Sequence, residues 1–576
     1  MSEPLVLRQR PLPTDVDLPD TLHPLLARLY AARGVRSAAE LERSLQALAR
    51  PDTLDGLTQA VAILSAARAS QHRIIIVGDF DADGATSCAV AVAALTAMGY
   101  QHVQYLVPNR FEFGYGLTPE IVKIAAESQP HVLITVDNGI ASLQGVRAAT
   151  EAGMQVIVTD HHLPGKELPA ADAIVNPNVT TDEFPSKNLA GVGVIFYVML
   201  ALRAALRQAG AFADSGHPEG PNLAELLDLV ALGTVADVVP LDHNNRVLVH
   251  QGLVRIRAER ARPGLAAMLR IAGREASSVT AADLAFAIGP RLNAAGRLTD
   301  MSLGIECLLA TDLHRAMEMA SELDALNRDR REIETSMRNE AERAVATLKL
   351  DGTLPSALCL YAGDWHPGVV GIVASRIKDA THRPVVAFAN DNDLMLKGSA
   401  RSVPGLHIRD ALDSVATRHP GLLEKFGGHA MAAGLTLAKA NLTHFREALA
   451  IEVEARCGGH ALERVVWTDG ELPARRLTLD LAETLRAAGP WGQAFAEPLF
   501  EGEFEILEER IVGGHHLKLK LRGVGGTAVL DAIAFNHGEA PTHAEQARVV
   551  YQLDVNEYRG VRSLQLLVQH LLPGHP

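Results

Sequence analysis

The chain has 576 residues and a net charge of −14 at pH 7, and 48% of its residues are hydrophobic. These values are ordinary for a globular protein and exclude a collagen-like or largely disordered chain, while the length predicts three or four domains. The acidic balance argues against nonspecific nucleic-acid binding by the whole surface, although it is compatible with a local basic channel.

The cysteines and apolar runs indicate the cellular setting. The four cysteines are far apart and show no CxxC spacing, so we expect buried thiols in a reducing compartment and neither a disulfide framework nor a zinc ribbon. The N-terminus lacks the apolar stretch of a secretory signal. The longest apolar run, 191–202, is shorter than the stretch of about 20 residues that spans a bilayer. We therefore expect a soluble, cytoplasmic protein that does not enter a membrane.

The first half of the chain predicts a helical lead-in at residues 1–50 and an α/β domain at 51–310. Short apolar segments alternate with helical ones in this domain, which is typical of a parallel sheet with functional residues at the carboxyl ends of its strands. The predicted strands are 73–77, 103–107, 132–136 and 155–159, and the helices include 118–127 and 141–152.

The second half predicts a long helix and two smaller domains. No glycine or proline occurs between Gly304 and Gly352, so 311–350 is predicted to form one helix joining two globular parts, with two shorter helices as the alternative. Residues 351–460 are predicted to form a smaller α/β domain. Residues 465–576 have a β pattern typical of a small barrel such as an OB-fold. The five predicted strands there are 500–507, 516–522, 528–535, 549–557 and 561–568.

A run of alternating carboxylates follows the first predicted strand. Asp79, Asp81 and Asp83 lie in the sequence GDFDADG, where a turn can bring their oxygens onto one cation. The spacing also matches the start of an EF-hand calcium loop, but that loop needs a Glu at its twelfth position and a helix before it. The twelfth position here is Val90 and the preceding segment is a predicted strand, so we reject the EF-hand interpretation.

Later segments add further metal-binding side chains. The third predicted strand ends at Asp137, the fourth ends at Asp160-His161-His162, and Asp237 follows another apolar segment. Each aspartate alone is typical of a turn or a helix cap, but parallel strand ends open into one crevice, so together they predict a cluster. Oxygen-rich ligands without a thiolate suit manganese or magnesium, and two such ions about 3.5–4 Å apart can catalyse phosphoester hydrolysis.

The segments GDFDADG, VDNG, TDHH and ALGTVADVVP, in this order, resemble the motifs of the DHH phosphoesterase superfamily. From about residue 50 to 576 the chain resembles the RecJ single-strand exonucleases within it. The resemblance implies a parallel-sheet DHH domain, joined by the long helix to a smaller α/β DHH-associated domain, and a C-terminal OB-fold. It also implies that Asp79 lies at the edge of a metal site, that His162 contacts the scissile phosphate and that Asp160 orients an imidazole. The implied metal ligands are Asp81, Asp83, Asp137, His161 and Asp237, with Asp137 bridging two ions.

Two loops of the first α/β domain carry candidate DNA contacts. Arg110 lies in PNRFEFGYG, where a guanidinium is close in sequence to aromatic rings; a Gly-rich turn with a surface arginine is the alternative. Arg291, Asn293 and Arg297 lie in GPRLNAAGR and are predicted to contact DNA or to support the site, although helix capping also explains them.

The second α/β domain and the barrel carry the remaining candidates. The loops WHPG, KGSARS and FGGH resemble those of the DHH-associated domain, whose GGH loop faces the catalytic crevice. The resemblance implies that Ser399 and Arg401 bind a terminal phosphate and His429 a nearby one; Arg376 is a further candidate. In LKLKLR, strict alternation predicts a basic stripe on one face of the barrel, a track for phosphates, with a solvated strand face as the alternative. The stripe consists of Lys518, Lys520 and Arg522.

These features predict a metal-dependent exonuclease that hydrolyses single-stranded DNA to mononucleotides with two divalent cations, manganese or magnesium. The 5′-to-3′ direction, the choice of DNA over RNA, the roles in DNA repair and recombination, and the expected partners, single-strand binding protein and a helicase, come only from the resemblance. We expect a monomer. The alternatives are a DHH enzyme for short oligonucleotides or cyclic dinucleotides, and a noncatalytic replication scaffold on the same fold. The barrel argues against the former and the full ligand set against the latter.

Overall fold

The computed structural model divides into two compact units. The first unit comprises Arg8–Asp324 and Trp467–Pro576, and the second comprises Met1–Leu7 and Ala325–Val466. The structure describes residues 5–108, 116–213, 217–350, 354–457, 464–537, 544–558 and 560–573.

The N-terminal 50 residues differ from the helical lead-in that the sequence predicts. They contain the strand β1 (Leu5–Gln9) and one eight-residue helix, α1 (Pro24–Ala31). Prolines at 11, 13 and 19 lack backbone donors, which prevents a longer helix. Three short 3-10 turns follow, at Ala38–Leu41, Leu45–Ala47 and Pro51–Thr53.

Five parallel strands form the sheet of the first unit, and four of them match the predicted ones. The strands are β2 (Ile74–Gly78), β3 (Val103–Leu106), β4 (Val132–Val136), β5 (Gln155–Thr159) and β6 (Ala173–Val175), and the helices among them are α2 (Leu57–Ala69), α3 (Ala82–Ala97), α4 (Pro119–Ala126) and α5 (Leu143–Glu151). The order is β3-β2-β4-β5-β6, with all neighbouring pairs parallel. The chain direction across the sheet reverses between β2 and β4, and open α/β sheets bind ligands at such a switch point.

Helices after the sheet complete this part of the first unit. They are α6 (Gly191–Gln208), α7 (Leu227–Ala236), α8 (His243–Arg257), α9 (Pro263–Ile271), α10 (Ala281–Asp283), α11 (Gly289–Leu298) and α12 (Ser302–Leu309), with 3-10 turns at Leu223–Leu226 and Ala276–Ser278 and a π-helical turn at Leu284–Ile288. By length and composition α6 could cross a membrane. However, 61% of it is buried inside the protein and it packs against α3, so it serves as a core helix.

The second unit is an α/β fold, as the sequence predicts, and its sheet is mixed. It contains most of the helix α13 (Leu313–Leu350), then β7 (Leu358–Tyr361), α14 (Val370–Thr381), β8 (Val385–Asn390), β9 (Met395–Arg401), α15 (Ile408–Arg418), β10 (Lys425–Gly428), β11 (Ala432–Ala438), the 3-10 turn Lys439–Asn441, α16 (Leu442–Cys457) and the start of β12 (Arg464–Thr468). The sheet order is β10-β11-β9-β8-β7, and β12 pairs with β1. The helix α13 is continuous over 38 residues, which confirms the long helix. It buries Met337, Ala341 and Val345 in the core of this unit.

A closed five-stranded barrel lies in the first unit and confirms the predicted OB-type domain. Its strands are β13 (Phe500–Val512), β14 (His516–Gly523), β15 (Val529–Ala534), β16 (Gln546–Tyr558) and β17 (Val561–Pro573), preceded by the 3-10 turn Ala474–Arg476 and by α17 (Leu479–Ala488). The order around the barrel is β13-β14-β15-β17-β16. Leu517, Leu519 and Leu521 are buried in its core, as the alternating pattern predicts.

Candidate metal centre and nucleic-acid residues

The loop after β2 is held in shape by its own carboxylates. Asp81 caps α3, because its Oδ1 accepts hydrogen bonds from the backbone N–H groups of Asp83 and Gly84, both at 3.0 Å. A Cβ on Gly84 would lie 2.4 Å from the carbonyl oxygen of Asp79, so this turn requires glycine. Asn293 supports the loop from α11, since its Oδ1 accepts the Ala82 N–H at 2.8 Å. The loop therefore presents its aspartates from a rigid frame.

Asp83 points inwards and is held by the N-terminus of another helix. Its carboxylate accepts the N–H groups of Gly191 at 2.6 Å and of Val192 at 2.9 Å, at the start of α6. These N–H groups have no partner within their own helix, and the positive end of the helix favours a carboxylate. A Cβ on Gly191 would lie 2.6 Å from the Cβ of Asp137, so only glycine lets α6 begin this close to β4.

Asp137 follows β4 with a left-handed backbone, φ +61°. Non-glycine residues adopt this conformation rarely, and strain of this kind gathers at functional sites. The next residue, Asn138, is buried, and its amide nitrogen donates to the carbonyl oxygens of Val77 at 3.1 Å and Val136 at 2.9 Å. Within the described residues, its Oδ1 has no hydrogen-bond partner. A buried acceptor left open beside the carboxylates is consistent with a further bound group at this position.

His161 lies at the centre of three carboxylates from separate elements. Its Nε2 is 3.1 Å from Asp137 Oδ1, 3.5 Å from Asp237 Oδ2 and 3.9 Å from Asp83 Oδ2. Asp237 is at the C-terminal end of α7, one turn after Gly233. A Cβ on Gly233 would lie 3.0 Å from Asp83 Oδ1, so the packing of α7 against the site also depends on a glycine.

His162 is oriented by the buried carboxylate of Asp160, whose Oδ1 is 2.7 Å from His162 Nδ1. Burial, the largest single influence, lowers the pKa of His162, but the hydrogen bond to Asp160 and the negative charges of Asp160, Asp79 and Asp81 together outweigh it, so the net shift is upwards. Burial likewise raises the pKa of Asp160, yet the same bond, the nearby imidazoles of His162 and His161 and the N–H of Ile140 together keep that pKa below its ordinary value. His162 thus carries a positive charge more readily than an ordinary histidine.

The remaining carboxylates repel one another. Burial, followed by repulsion from Asp81, raises the pKa of Asp83 to about 7. Burial and the neighbouring aspartates also raise the pKa values of Asp137 and Asp237 well above the ordinary range. Such a cluster is stable in its charged form only with compensating cations.

Three sets of side chains could each hold a metal ion, because within each set the ligand atoms lie within 4.8 Å of one another. The groups are Asp79, Asp81 and Asp137; Asp83, His161 and Asp237; and Asp137, His161 and His162. Asp137 belongs to two of them. Oxygen-rich donor sets with an imidazole and no thiolate fit manganese or magnesium.

The predicted DNA contacts around α11 are engaged within the protein. Arg291 is buried, and its guanidinium binds Asp324, with Nη2 2.7 Å from Oδ1, and donates to the carbonyl of Ala287. This arginine therefore ties α11 to the start of α13. Asn293 supports the acidic loop, and Arg297 is half-buried. Arg110 lies outside the described residues.

In the second unit, Ser399 and Arg401 lie together on β9, with the guanidinium Nη1 2.9 Å from Ser399 Oγ. Burial lowers the pKa of Arg401, and within the described residues no carboxylate pairs with it at 4.0 Å. Arg376 binds Glu334 of α13, with Nε 3.1 Å from Oε1. His429 is exposed at the end of β10.

The basic stripe of the barrel faces a row of carboxylates. Lys518 Nζ lies 3.9 Å from Asp531, Lys520 Nζ lies 4.0 Å from Glu508, and Arg522 pairs closely with Glu505. The alternation is as predicted, but the face is not purely basic. The carboxylates come from β13 and β15, which the pattern of β14 alone does not reveal.

Sequence reasoning missed two supports of the metal centre. The N–H groups of Gly191 and Val192 hold Asp83 from 108 residues further along the chain, and nothing local in the sequence GVGV marks this contact. Asn138 lies in VDNG, and the signal for its role is a polar residue close behind a buried strand.

Comparisons with known families match all three parts of the chain. The model of the DHH family, N-terminal domain, matches residues 73–234, the DHHA1 domain matches 354–455, and the RecJ OB domain matches 468–570.

Relatives match over the whole length. The chain is 57% identical to the single-stranded-DNA-specific exonuclease RecJ of Dickeya dadantii, covering 98% of this chain and 99% of that protein. It is 52% identical to the RecJ of Escherichia coli, with 100% of both covered. The crystal structure of Thermus thermophilus RecJ in complex with Mn²⁺ matches with a TM-score of 0.82 at 31% identity, covering 99% of this chain and 80% of that one. Its complex with Mg²⁺ matches with a TM-score of 0.75 at 29% identity, over 99% and 79%. The chain therefore belongs to the RecJ family of DHH proteins.

Proposed function

We propose that this protein is a metal-dependent exonuclease that hydrolyses single-stranded DNA in the 5′-to-3′ direction to mononucleotides. The observation that carries the proposal is the meeting of Asp83, Asp137 and Asp237 around His161, within 3.9 Å of its Nε2. Two divalent cations, manganese or magnesium, when held by these residues, supply the positive charge that polarises a phosphodiester. The single-strand specificity is that of the full-length relatives.

The residues of the chain then have distinct tasks. Asp83 and Asp137 are fixed by the start of α6 and by the strained turn after β4, so they bind cations with little rearrangement. His162, with its raised pKa, donates a hydrogen bond to an oxygen of the scissile phosphate, and Asp160 holds the ring in place for this. These roles rest on the geometry of the ligands and on the family.

An exonuclease that starts at the end of a DNA strand needs a group that recognises this end. Arg401 and Ser399 offer donors side by side, and the half-buried guanidinium pairs with no carboxylate among the described residues. We assign the terminal 5′ phosphate to this pair and a neighbouring phosphate to His429, whose backbone N–H donates to the carbonyl of Ala432, the residue opposite Arg401 in the strand register. An internal position has no terminal phosphate, which explains exonuclease action.

The proposal extends to the setting in which the protein acts. The proposal places the protein in the cytoplasm as a monomer that acts in DNA repair and recombination, with single-strand binding protein and a helicase as partners.

Product analysis tests the proposed reaction. Single- and double-stranded DNA labelled at either end are incubated with manganese, magnesium or EDTA. We expect mononucleotides released from the 5′ end of single strands only, and only with a cation. A small-substrate enzyme would instead cleave dinucleotides faster than long strands, and a scaffold would cleave neither.

Substitution of Asp137 tests the site itself. Asn tolerates the left-handed backbone at this position, so Asp137→Asn keeps the fold while removing a shared ligand charge. We expect hydrolysis to fall by about 10³-fold or more, as for loss of a central charge-stabilising group, while binding of single strands persists. Asp52→Asn, on an exposed turn, is the matched control. Near-normal turnover of Asp137→Asn contradicts the assignment.

A further inference from the structure

A pocket separate from the metal centre lies between α8, the turns before α11 and the segment that leads into the barrel. It encloses about 320 Å³, a volume typical of small-ligand pockets. One wall is a face of α8, where His250, Leu253 and Arg257 recur at helical spacing, and another is formed by Arg486 in the last turn of α17 and by Trp491. None of the proposed metal ligands is among the described residues that line it.

Two half-buried guanidiniums share this pocket. Arg257 Nε donates to the carbonyl of Val279 at 2.8 Å, and Arg486 Nη2 donates to the carbonyl of Ser278 at 3.1 Å. Because both guanidiniums line the pocket and bind the carbonyls of successive residues, they lie near each other. Burial, followed by the positive charge of Arg486, lowers the pKa of Arg257. An anion between the two guanidiniums would relieve this repulsion.

The carboxylates near these guanidiniums are engaged with other partners. Asp283 pairs with Arg274, with Nε 3.3 Å from Oδ1. Glu497, on the rim of the pocket, accepts a hydrogen bond from Gln552 Nε2 at 3.3 Å. Within the part of the chain that the structure describes, neither guanidinium of the pocket has a carboxylate within 4.0 Å. Their donors are therefore available to an anionic ligand.

The same pocket has an apolar wall. Phe286, in the π-helical turn before α11, is 77% exposed, and Val238 is 58% exposed. Trp491 adds a ring that is fixed in place, because its Nε1 donates to the carbonyl of Leu485 at 2.9 Å. Aromatic rings offer a surface on which any nucleic-acid base can stack. The pocket thus combines a site for an anion with a site for a flat ring.

We infer that this pocket binds a nucleoside 5′-monophosphate, with the phosphate between Arg257 and Arg486 and the base against Phe286. A phosphate monoester carries about 1.5 to 2 negative charges at pH 7 and can accept hydrogen bonds from two guanidinium forks. A carboxylate or an internal phosphodiester carries a single charge and matches one guanidinium only. This inference rests on the proposed function, because mononucleotides are the products that the proposed reaction releases.

The pocket also adjoins a proposed metal ligand. Val235 and Val238 line it, and they lie on either side of Asp237 in the chain. Val238 has a left-handed backbone, φ +61°, which β-branched residues adopt rarely. A nucleotide in the pocket contacts the chain on both sides of Asp237, so a released product can act on the metal centre without entering it.

Calorimetry with thymidine 5′-monophosphate tests the inference on the full-length protein carrying Arg401→Ala, in EDTA. Arg401→Ala removes the other proposed site for a 5′ phosphate, and without cations the carboxylates of the metal centre repel a phosphate. We expect one nucleotide bound per chain. Thymidine, which has no phosphate, should bind at least about tenfold more weakly, since it makes no charge-assisted hydrogen bonds.

Further substitutions in the same protein separate the two parts of the pocket. Arg257→Gln and Arg486→Gln should each weaken nucleotide binding at least about tenfold. Arg274→Gln, whose guanidinium already has a carboxylate partner, is the matched control and should leave the affinity unchanged. Phe286→Ala should weaken nucleotide binding about fivefold or more, yet leave the binding of inorganic phosphate unchanged, because that ion has no base. Val254→Ala, at a position 45% exposed on α8, is its control.

Equal affinities for thymidine and its monophosphate, or equal losses for Arg257→Gln and Arg274→Gln, overturn the inference. Displacement of the nucleotide by an equal concentration of unphosphorylated oligothymidine also overturns it, because the pocket would then belong to the path of the strand. The proposed function fails separately: a protein that binds the nucleotide but never hydrolyses strands with manganese refutes the exonuclease and leaves the pocket intact. Hydrolysis by a parent whose Arg401→Ala form binds no nucleotide in EDTA does the reverse.

Discussion

The crowded carboxylates predict that the metal-free protein loses stability as the pH rises from 5 to 8. Burial, with repulsion from Asp81, raises the pKa of Asp83 from 3.8 to about 7, and the pKa values of Asp137 and Asp237 are raised well above the ordinary range. Between the ordinary carboxyl pKa of 3.8 and the raised value of about 7, the folded protein binds more protons than the unfolded chain. Stability therefore falls as the pH rises through this window.

The size of the effect follows from the shift of one group. Each proton held only by the folded state changes the free energy of unfolding by about 1.4 kcal/mol per pH unit. For Asp83, a shift of about three units sets an upper bound of about 4 kcal/mol. A divalent cation binds only the ionised carboxylates, so it offsets the loss and gives its largest stabilisation at high pH.

Thermal unfolding at pH 5, 6, 7 and 8, with EDTA or with manganese, measures this effect. The midpoint should fall with pH in EDTA and much less with manganese. The raised pKa of His162 acts in the same direction, because its contribution is also lost as the pH rises through its folded value. Asp237→Asn therefore serves to isolate the carboxylates: it should flatten the EDTA curve, whereas Asp52→Asn should not. A metal-free midpoint that is higher at pH 8 than at pH 5 would refute the reasoning.

Two further substitutions test the supports of the site and the recognition of the strand end. Gly191→Ala would place a Cβ 2.6 Å from Asp137 Cβ and displace the start of α6 from Asp83. Manganese affinity measured by calorimetry should therefore fall about 10-fold or more, as when partners of metal ligands are lost. Gly165→Ala, on an open loop, should leave the affinity unchanged. Arg401→Ala should reduce the ratio of cleavage rates for phosphorylated over unphosphorylated 5′ ends towards one; a parent protein that shows no such preference removes the basis for this assignment.

The sheet and the ligand segments could be predicted because their signals are local. Buried strands such as 132–136 form nearly continuous apolar runs, and the aspartates that follow β2, β4 and β5 mark the edge of the sheet where ligands of parallel sheets gather. The left-handed backbone of Asp137 could not be predicted, since it depends on packing against α6, which begins 54 residues later.

The ion pairs on the barrel could not be predicted from the pattern of a single strand. Alternation along β14 correctly places Lys520 and Arg522 outwards, but their carboxylate partners depend on how β13 aligns with β14. That alignment shifts at an irregularity between Ile506 and Glu508, which no pattern within a single strand reveals. The ion pair that engages Arg291 within the protein likewise depends on Asp324 in another helix.

The order in which the ligands occur along the chain has a consequence for synthesis on the ribosome. Asp79, Asp137 and His161 follow β2, β4 and β5, whereas Asp237 lies at the end of α7. The start of α6 at Gly191 must also be in place to hold Asp83. A nascent or prematurely ended polypeptide that stops before α7 therefore lacks Asp237 and cannot assemble the full set of proposed ligands.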